Sequence, residues 1–238
     1  MVFSKTHQLY LPSNFPFTEM DAFKAAADRL LMPETSIIEE WQEYAGAINL
    51  IGWRFRNCHE DMERWIGSLN MHGENGDFEE EYLRDRALFG FFTAGLSCIE
   101  STCYALSALA YHLALLDLPS KMDKKWYLYP KDLEKRLLER PKTVALKTKL
   151  HELTGSNEFE RLKQLRDRVT HRSNLPRNQT LSISNNAHQV FAKTNSTKLY
   201  GEETELTINE LFLKDMLAWL AESVRALLVE GTRLCEQP

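Results

Sequence analysis

The chain lacks the sequence signatures of secreted disulfide-rich proteins. Its four cysteines, Cys58, Cys98, Cys103 and Cys235, show no C-x-x-C spacing. No charged N-terminal region is followed by an apolar stretch of the kind that marks a signal peptide. We therefore expect reduced thiols and a cytoplasmic protein.

Motifs of common cofactor enzymes are absent as well. The sequence has no Gly-rich phosphate loop of Walker or Rossmann type and no G-x-S-x-G nucleophile elbow. None of the seven histidines has a glutamate three residues before it, whereas di-iron bundles need Glu-x-x-His pairs. In the string from Cys58 to Asp61, consecutive helical residues point in different directions, so a metal cluster is not expected there. We expect no cofactor and no metal ion.

The overall charge is acidic. The 29 Lys and Arg residues are outnumbered by 34 Asp and Glu residues, which gives a net charge of -5. A protein that coats nucleic acid non-specifically needs a broadly basic surface, so that class is excluded, and only a local basic site stays open. With 238 residues and 43% hydrophobic content, the chain can bury a sizeable core, and one domain is the expected organisation.

A long apolar run spans residues 87–116. Glu100 is its only formally charged residue. A carboxylate in mid-run, together with His112 and many small polar residues, favours a buried bundle helix over a membrane span. Glu100 is expected either to face a functional site or to make a buried structural hydrogen bond, and the sequence leaves both open.

The sequence predicts an all-α fold, a long antiparallel bundle of four to five main helices with a small hairpin or loop insertion. The strongest evidence for this fold is a series of apolar residues in alternating steps of four and three, which is typical of long helices that pack at a shallow angle. The series is Ile37, Trp41, Tyr44, Ile48, Ile51, Phe55, Cys58, Met62, Trp65 and Leu69.

We predict an N-terminal arm with a short helix over 1–32, the helix near 22–31, and a bundle domain over 33–238. Helix starts are predicted from capping boxes at Ser36–Glu39, Asp77–Glu80, Asn157–Glu160 and Thr207–Glu210. Shorter helices are expected over 133–139 and 144–153. A hairpin or ordered loop is expected over 176–207, and Gly231 is expected to end the last helix.

One stretch of the chain is strongly basic. Between residues 161 and 177 a single acid, Asp167, stands among six basic residues, which makes a local charge of +5 and a candidate phosphate site. The six are Arg161, Lys163, Arg166, Arg168, Arg172 and Arg177.

Helical geometry separates His171 from the core in this stretch. The predicted core stripe consists of Phe159, Leu162, Leu165 and Val169, and at about 100° per residue His171 projects to roughly the opposite side. Asp167 and His171 are four residues apart, so the carboxylate can orient the imidazole and favour its protonated form. A histidine for proton transfer and an arginine fork for phosphate are what RNA cleavage by its own 2′-hydroxyl requires. The alternative is a solvated basic helix end whose charges suit the helix dipole.

The string Arg166-Asp167-Arg168-Val169-Thr170-His171 resembles the R-[NDH]-x-x-x-H signature of the HEPN superfamily. The resemblance implies a four- or five-helix bundle and a metal-independent endoribonuclease, in which two protomers bring their motifs into one cleft. Arg166 and His171 would be the essential pair, and Asp167 the supporting polar residue.

The substrate of such an enzyme would be RNA. We expect Arg168, Thr170, Arg172 and Arg177 to contact it. The resemblance also implies a toxin or phage-defence role, a homodimer, and an antitoxin or nucleotidyltransferase partner. The alternative hypothesis is a catalytically inactive HEPN-like module that binds a protein partner or nucleic acid, without membrane association.

Overall fold

The computed structural model describes residues 1–32, 39–73, 77–118, 129–171, 177–184 and 187–236. It does not describe the side chains of residues 39, 40, 171, 177–184 and 187–195. The described helices are α1 Phe17–Leu31, α2 Glu39–His72, α3 Phe78–His112, α4 Pro130–Arg136, α5 Pro141–Gly155, α6 Asn157–His171 and α7 Glu210–Glu236. The strands are β1 Val2–Ser4, β2 Leu9–Leu11, β3 Arg177–Ser184, β4 Ala187–Thr197 and β5 Leu206–Ile208.

The prediction of an all-α fold with a small hairpin is confirmed. Strands β3 and β4 pair antiparallel inside the predicted insertion, with a shift in register between Thr180 and Leu181. Strand β5 pairs antiparallel with β4, so the sheet order is β3-β4-β5. Among the described residues, no helix is both long and apolar enough to cross a membrane.

The chain forms two compact units. Unit 1 consists of Met1–Arg56, Ser97–Phe159 and Trp219–Pro238, and unit 2 of Asn57–Leu96 and Glu160–Ala218. The predicted arm region therefore lies in unit 1, and the motif lies in unit 2.

In unit 1, helices α2 and α3 run antiparallel. The Tyr104 hydroxyl of α3 donates to the Glu43 carboxylate of α2. At a later position on α2 and an earlier position on α3, the Cys98 thiol donates to the Ile51 carbonyl at 3.5 Å. Because the contacting residues rise in number along α2 and fall in number along α3, the two helices run antiparallel.

In unit 2, the same two helices also pair antiparallel. The Cys58 thiol donates to the Phe91 carbonyl at 3.4 Å, and the Ser68 hydroxyl donates to Glu80 at 3.0 Å. The predicted apolar series on α2 is confirmed as a core face in both units, since its members from Tyr44 to Trp65 are buried.

Unlike the predicted extended arm, the N-terminal residues form the β1–β2 hairpin. Helix α1 begins at Phe17, five residues before the predicted start, and Pro16 stands directly before it. Proline has no N–H to donate, and the first turn of a helix does not need one. In the same way, α4 and α5 begin at Pro130 and Pro141, three residues earlier than predicted.

Two predicted helix caps need correction, and one is confirmed. Asp77 caps α3, since its carboxylate accepts from the Glu80 N–H at 3.0 Å. Instead of Asn157, Ser156 caps α6, because its hydroxyl accepts from the Phe159 N–H at 3.2 Å. The predicted box at Ser36–Glu39 lies outside the described residues.

The predicted cap at Thr207 is also wrong. Thr207 lies in strand β5, and the Asn209 side chain accepts from the Phe212 N–H at 2.8 Å at the start of α7. A strand that ends next to a helix leaves only the residue between them free to cap.

Gly231 does not end the last helix, because α7 continues to Glu236. A Cβ added at Gly231 would lie 2.6 Å from Phe23 Cε2 and 2.7 Å from Leu106 Cδ2. A glycine is therefore required here because α7 packs closely against Phe23 of α1 and Leu106 of α3. The prediction that the helix ends at Gly231 was wrong.

His7 connects the N-terminal hairpin to α2 through a hydrogen bond. Its Nε2 donates to the Ile48 carbonyl at 3.2 Å, and the Ser4 hydroxyl lies 3.0 Å from its Nδ1. The imidazole ring is 7% exposed and packs directly over Gly52. A Cβ at Gly52 would lie only 2.5 Å from His7 Cδ2.

We expect Gly52→Ala to destabilise the protein by about 1–3 kcal/mol, because the new methyl group overlaps the His7 ring. Gly46→Ala on the same helix is the matched control, since its Cβ would meet nothing within 4 Å. That change should stabilise the protein by about 0.5–1 kcal/mol through helix propensity. Urea unfolding measures both, and equal stabilisation by the two changes would refute the packing of His7 on Gly52.

Burial lowers the pKa of His7, while the Ile48 carbonyl and Asp21 raise it and Lys24 lowers it further. The folded state therefore favours the neutral ring. Its contribution to the free energy of unfolding should be complete above the ordinary histidine pKa of about 6.5, and should be lost as the pH falls below it. Unfolding at pH 7.5 and pH 5.0 should show a smaller loss of stability in His7→Gln than in the wild type. An equal loss in both proteins would contradict the assignment.

Candidate functional site

The predicted motif lies on α6, and the apolar face of this helix packs in unit 2. Leu162 and Leu165 are buried, as predicted for the core stripe, whereas Phe159 and Val169, its other two predicted members, are half-buried. A Cβ added at Gly95 of α3 would lie 3.4 Å from Leu162 Cδ1 and 3.5 Å from Cys58 Sγ of α2. These are ordinary van der Waals distances, so α6 packs beside α2 and α3 at this point without requiring a glycine.

Two members of the predicted site, Arg166 and Asp167, form an ion pair. The Arg166 Nε lies 3.3 Å from the Asp167 Oδ1, and the two side chains are 27% and 36% exposed. An ion pair this accessible to water contributes little to stability, roughly 0–1 kcal/mol. Its effect is to hold a guanidinium and a carboxylate side by side at a surface that solutes can reach.

Two further predicted residues follow on the same helix. Arg168 and Thr170 are half-buried. The Thr170 hydroxyl donates to the Arg166 carbonyl at 2.7 Å, and its oxygen retains the capacity to accept a hydrogen bond. The prediction that both contact a substrate stays a prediction.

The remaining predicted residues lie at the end of the helix and beyond it. His171 is the last residue of α6, and Arg177 is the first residue of β3. The side chains of both lie outside the described residues, as does the whole of Arg172. The predicted orientation of the His171 ring therefore stays a prediction.

Nearby carboxylates balance much of the positive charge counted along the sequence. The Arg161 Nε lies 2.5 Å from the Glu202 Oε1. The Lys163 Nζ lies 3.9 Å from Glu160 Oε2 in a looser pair. Within the described part of the chain, only Arg168 among the predicted basic residues has no ion-pair partner. The local charge of +5 is thus an overestimate, because Glu202 is distant in sequence and close in space.

Sequence reasoning also missed the contact between α6 and the turn at residues 199–202. The Gln164 side chain donates to the Tyr200 carbonyl at 3.1 Å and accepts from the Tyr200 N–H at 2.7 Å. Tyr200 is 92% exposed, and Gly201 has a φ of 86°, which favours glycine. No periodic or motif signal in the sequence links Gln164 to this turn.

The string from Cys58 to Asp61 has a structural role in unit 2. The Asp61 carboxylate accepts from Arg64 Nη1 at 2.7 Å and packs against Gly90, while burial raises the pKa of Asp61. Burial also lowers the pKa of His59. Among the described residues, no group of three or more His, Cys, Asp or Glu side chains is placed to hold a metal ion.

Comparison of the chain with protein-family models, with curated proteins and with solved structures finds no match.

Glu202→Gln should make the protein bind heparin more tightly and elute at higher salt, because Arg161 then lacks its neutralising carboxylate. Glu203→Gln is the matched control, since it makes the same change in net charge at an exposed neighbour. Salt-gradient elution of the three proteins measures the effect. Identical shifts for both variants would show that only net charge matters and that the α6 surface binds no anion.

Proposed function

We propose that this protein is a metal-independent endoribonuclease of HEPN type. The observation that supports the proposal best is the paired and partly exposed Arg166 and Asp167 on a helix that continues to His171. Positions four apart on a helix are neighbours, so the proposed proton-transfer residue follows the carboxylate by one turn.

In the proposed reaction, the RNA 2′-hydroxyl attacks the adjacent phosphorus and the bond to the 5′-oxygen breaks. The attacking hydroxyl loses a proton to a base, and the leaving oxygen gains one from an acid. Histidine can serve in either role near neutral pH. The products are a 2′,3′-cyclic phosphate and a 5′-hydroxyl, and the balance requires no oxidant or added nucleophile.

Arg166 is proposed to bind the scissile phosphate. A guanidinium has five N–H donors, so it can contact Asp167 through Nε and still offer donors to phosphate oxygens. Negative charge that develops on the phosphorane would be stabilised by these donors. Asp167 holds the guanidinium in place and is proposed to orient His171.

The proposed RNA contact is small. Arg161 and Lys163 are neutralised by carboxylates, which leaves Arg168, Arg172 and Arg177, with Thr170, as proposed contacts to neighbouring phosphates. A protein with a net charge of -5 would approach RNA only there. Single-stranded or loop RNA, whose backbone can bend into a small cleft, is the proposed substrate.

Two protomers are proposed to bring their motifs together in one cleft, as the resemblance to the HEPN superfamily implies. The proposed setting is that of a toxin or defence effector controlled by a protein partner.

The proposal is tested with the purified protein and a 5′-labelled single-stranded RNA in the presence of EDTA. His171→Ala and Arg166→Ala should each slow cleavage about 10²–10⁴-fold, since each removes a group needed in the transition state. A substrate with 2′-deoxyribose at the cleaved position should be inert. Product ends are read by mass spectrometry.

Lys163→Ala is the matched control, because Lys163 lies on the same helix and is exposed. It should cleave at close to the wild-type rate. Unchanged cleavage by the His171 and Arg166 variants would refute the proposal. Stoichiometric RNA or protein binding without turnover would instead support the catalytically inactive module.

A further inference from the structure

Unit 1 contains a cavity between α2 and α3, separate from the motif residues. Its volume is about 380 Å³, which lies within the range of small-molecule sites, roughly 300–1,000 Å³. Both helices line it, together with Tyr129 before α4. Gly46 lies on its wall, and a Cβ added there would meet nothing within 4 Å. The absence of a side chain at Gly46 thus helps to keep the cavity open.

The charged residues of the cavity are arranged along its length. Glu43 and Arg54, both on α2, are eleven residues apart, or about 16 Å along the helix axis at 1.5 Å per residue. Helical side chains lean toward the N-terminus, so the guanidinium leans toward the middle of the cavity. Glu100 of α3 also lines the cavity. It lies between the levels fixed by the contacts of Tyr104 with Glu43 and of Cys98 with Ile51.

Each end of the cavity holds a group suited to an ionic ligand. The Tyr104 hydroxyl donates to the Glu43 carboxylate and so holds it in place. At the opposite end, the Arg54 Nε is buried and has no hydrogen-bond partner among the described residues. The guanidinium has four further N–H donors, which can bind an acidic group of a ligand. Between the two ends, Ala47 and Leu50 give an apolar stretch of wall.

We propose that this cavity binds a small zwitterion with a carboxylate at one end, a protonated amine at the other and a short apolar stem between them. Arg54 holds the carboxylate, and Glu43 and Glu100 hold the amine. Charge-assisted hydrogen bonds of this kind are roughly twice as strong as neutral ones. The site gives Glu100, the one charged residue of the apolar run, a role in ligand binding.

Three probes with the same six-carbon stem separate the two charges: 6-aminohexanoate, hexylamine and hexanoate. Ligand-observed NMR and calorimetric titration of the full chain should show binding of 6-aminohexanoate at millimolar concentration. Each singly charged probe should bind at least about tenfold more weakly, since each lacks one charge-assisted contact. Arg54→Gln should reduce the affinity for 6-aminohexanoate about tenfold or more and leave that for hexylamine unchanged.

Gly46→Leu should abolish probe binding, because the added side chain fills the open space. Gly67→Leu is the matched control. It places the same residue on the same helix at a glycine whose Cβ would also meet nothing within 4 Å, and it should bind the probe normally. If thermal unfolding shows that Gly46→Leu does not fold, Glu43→Gln is used in its place. This change should weaken the binding of 6-aminohexanoate at least about tenfold.

The proposal is overturned if 6-aminohexanoate does not bind. It is also overturned if Gly46→Leu folds and still binds the probe, or if hexylamine binds as tightly as the zwitterion, which would mark a site for cations only. RNA cleavage is not a readout here, so failure of either proposal leaves the other intact.

Discussion

Close antiparallel contact between α2 and α3 is the constraint on which the rest of the structure depends. It occurs in both units, through Cys98 with Ile51 in one and Cys58 with Phe91 in the other. In both places a thiol donates to a carbonyl of the opposite helix, which requires the backbones to be near each other. Burial raises the pKa of the Cys98 thiol to about 12, so this group stays protonated and keeps its donor at neutral pH.

Small residues make that contact possible and decide what can pack beside it. Gly52 leaves room for the His7 ring of the N-terminal hairpin, and Gly90 leaves room for the Asp61 carboxylate of α2. Gly46 has open space beside it instead, and there the helix pair has a cavity. Glycine residues on these helices therefore let α2 and α3 approach each other, make room for the N-terminal hairpin and leave a cavity open. The difference lies in what fills the space next to each glycine.

Patterns that depend on local geometry could be predicted from the sequence, and long-range contacts could not. The repeat from Tyr44 to Trp65 predicted α2 because a buried helical face has a fixed period. Gly231 was misread because its partner, Phe23, lies about 200 residues away in sequence and close in space. The ion pair between Arg161 and Glu202 was not predicted, for the same reason. The motif residues could be singled out by spacing, but their ion pairs required coordinates.

The two proposed sites differ in how their charges are balanced. Arg166 is partly exposed and contacts Asp167, so a phosphate that binds it shares the guanidinium with a carboxylate in the presence of water and salt. Such a site binds weakly and favours a substrate whose charge increases during reaction, because the stronger charge of the transition state competes better. Arg54 has no ion-pair partner among the described residues, so an anionic ligand there does not have to compete with a paired carboxylate. The first arrangement suits catalysis, and the second suits binding.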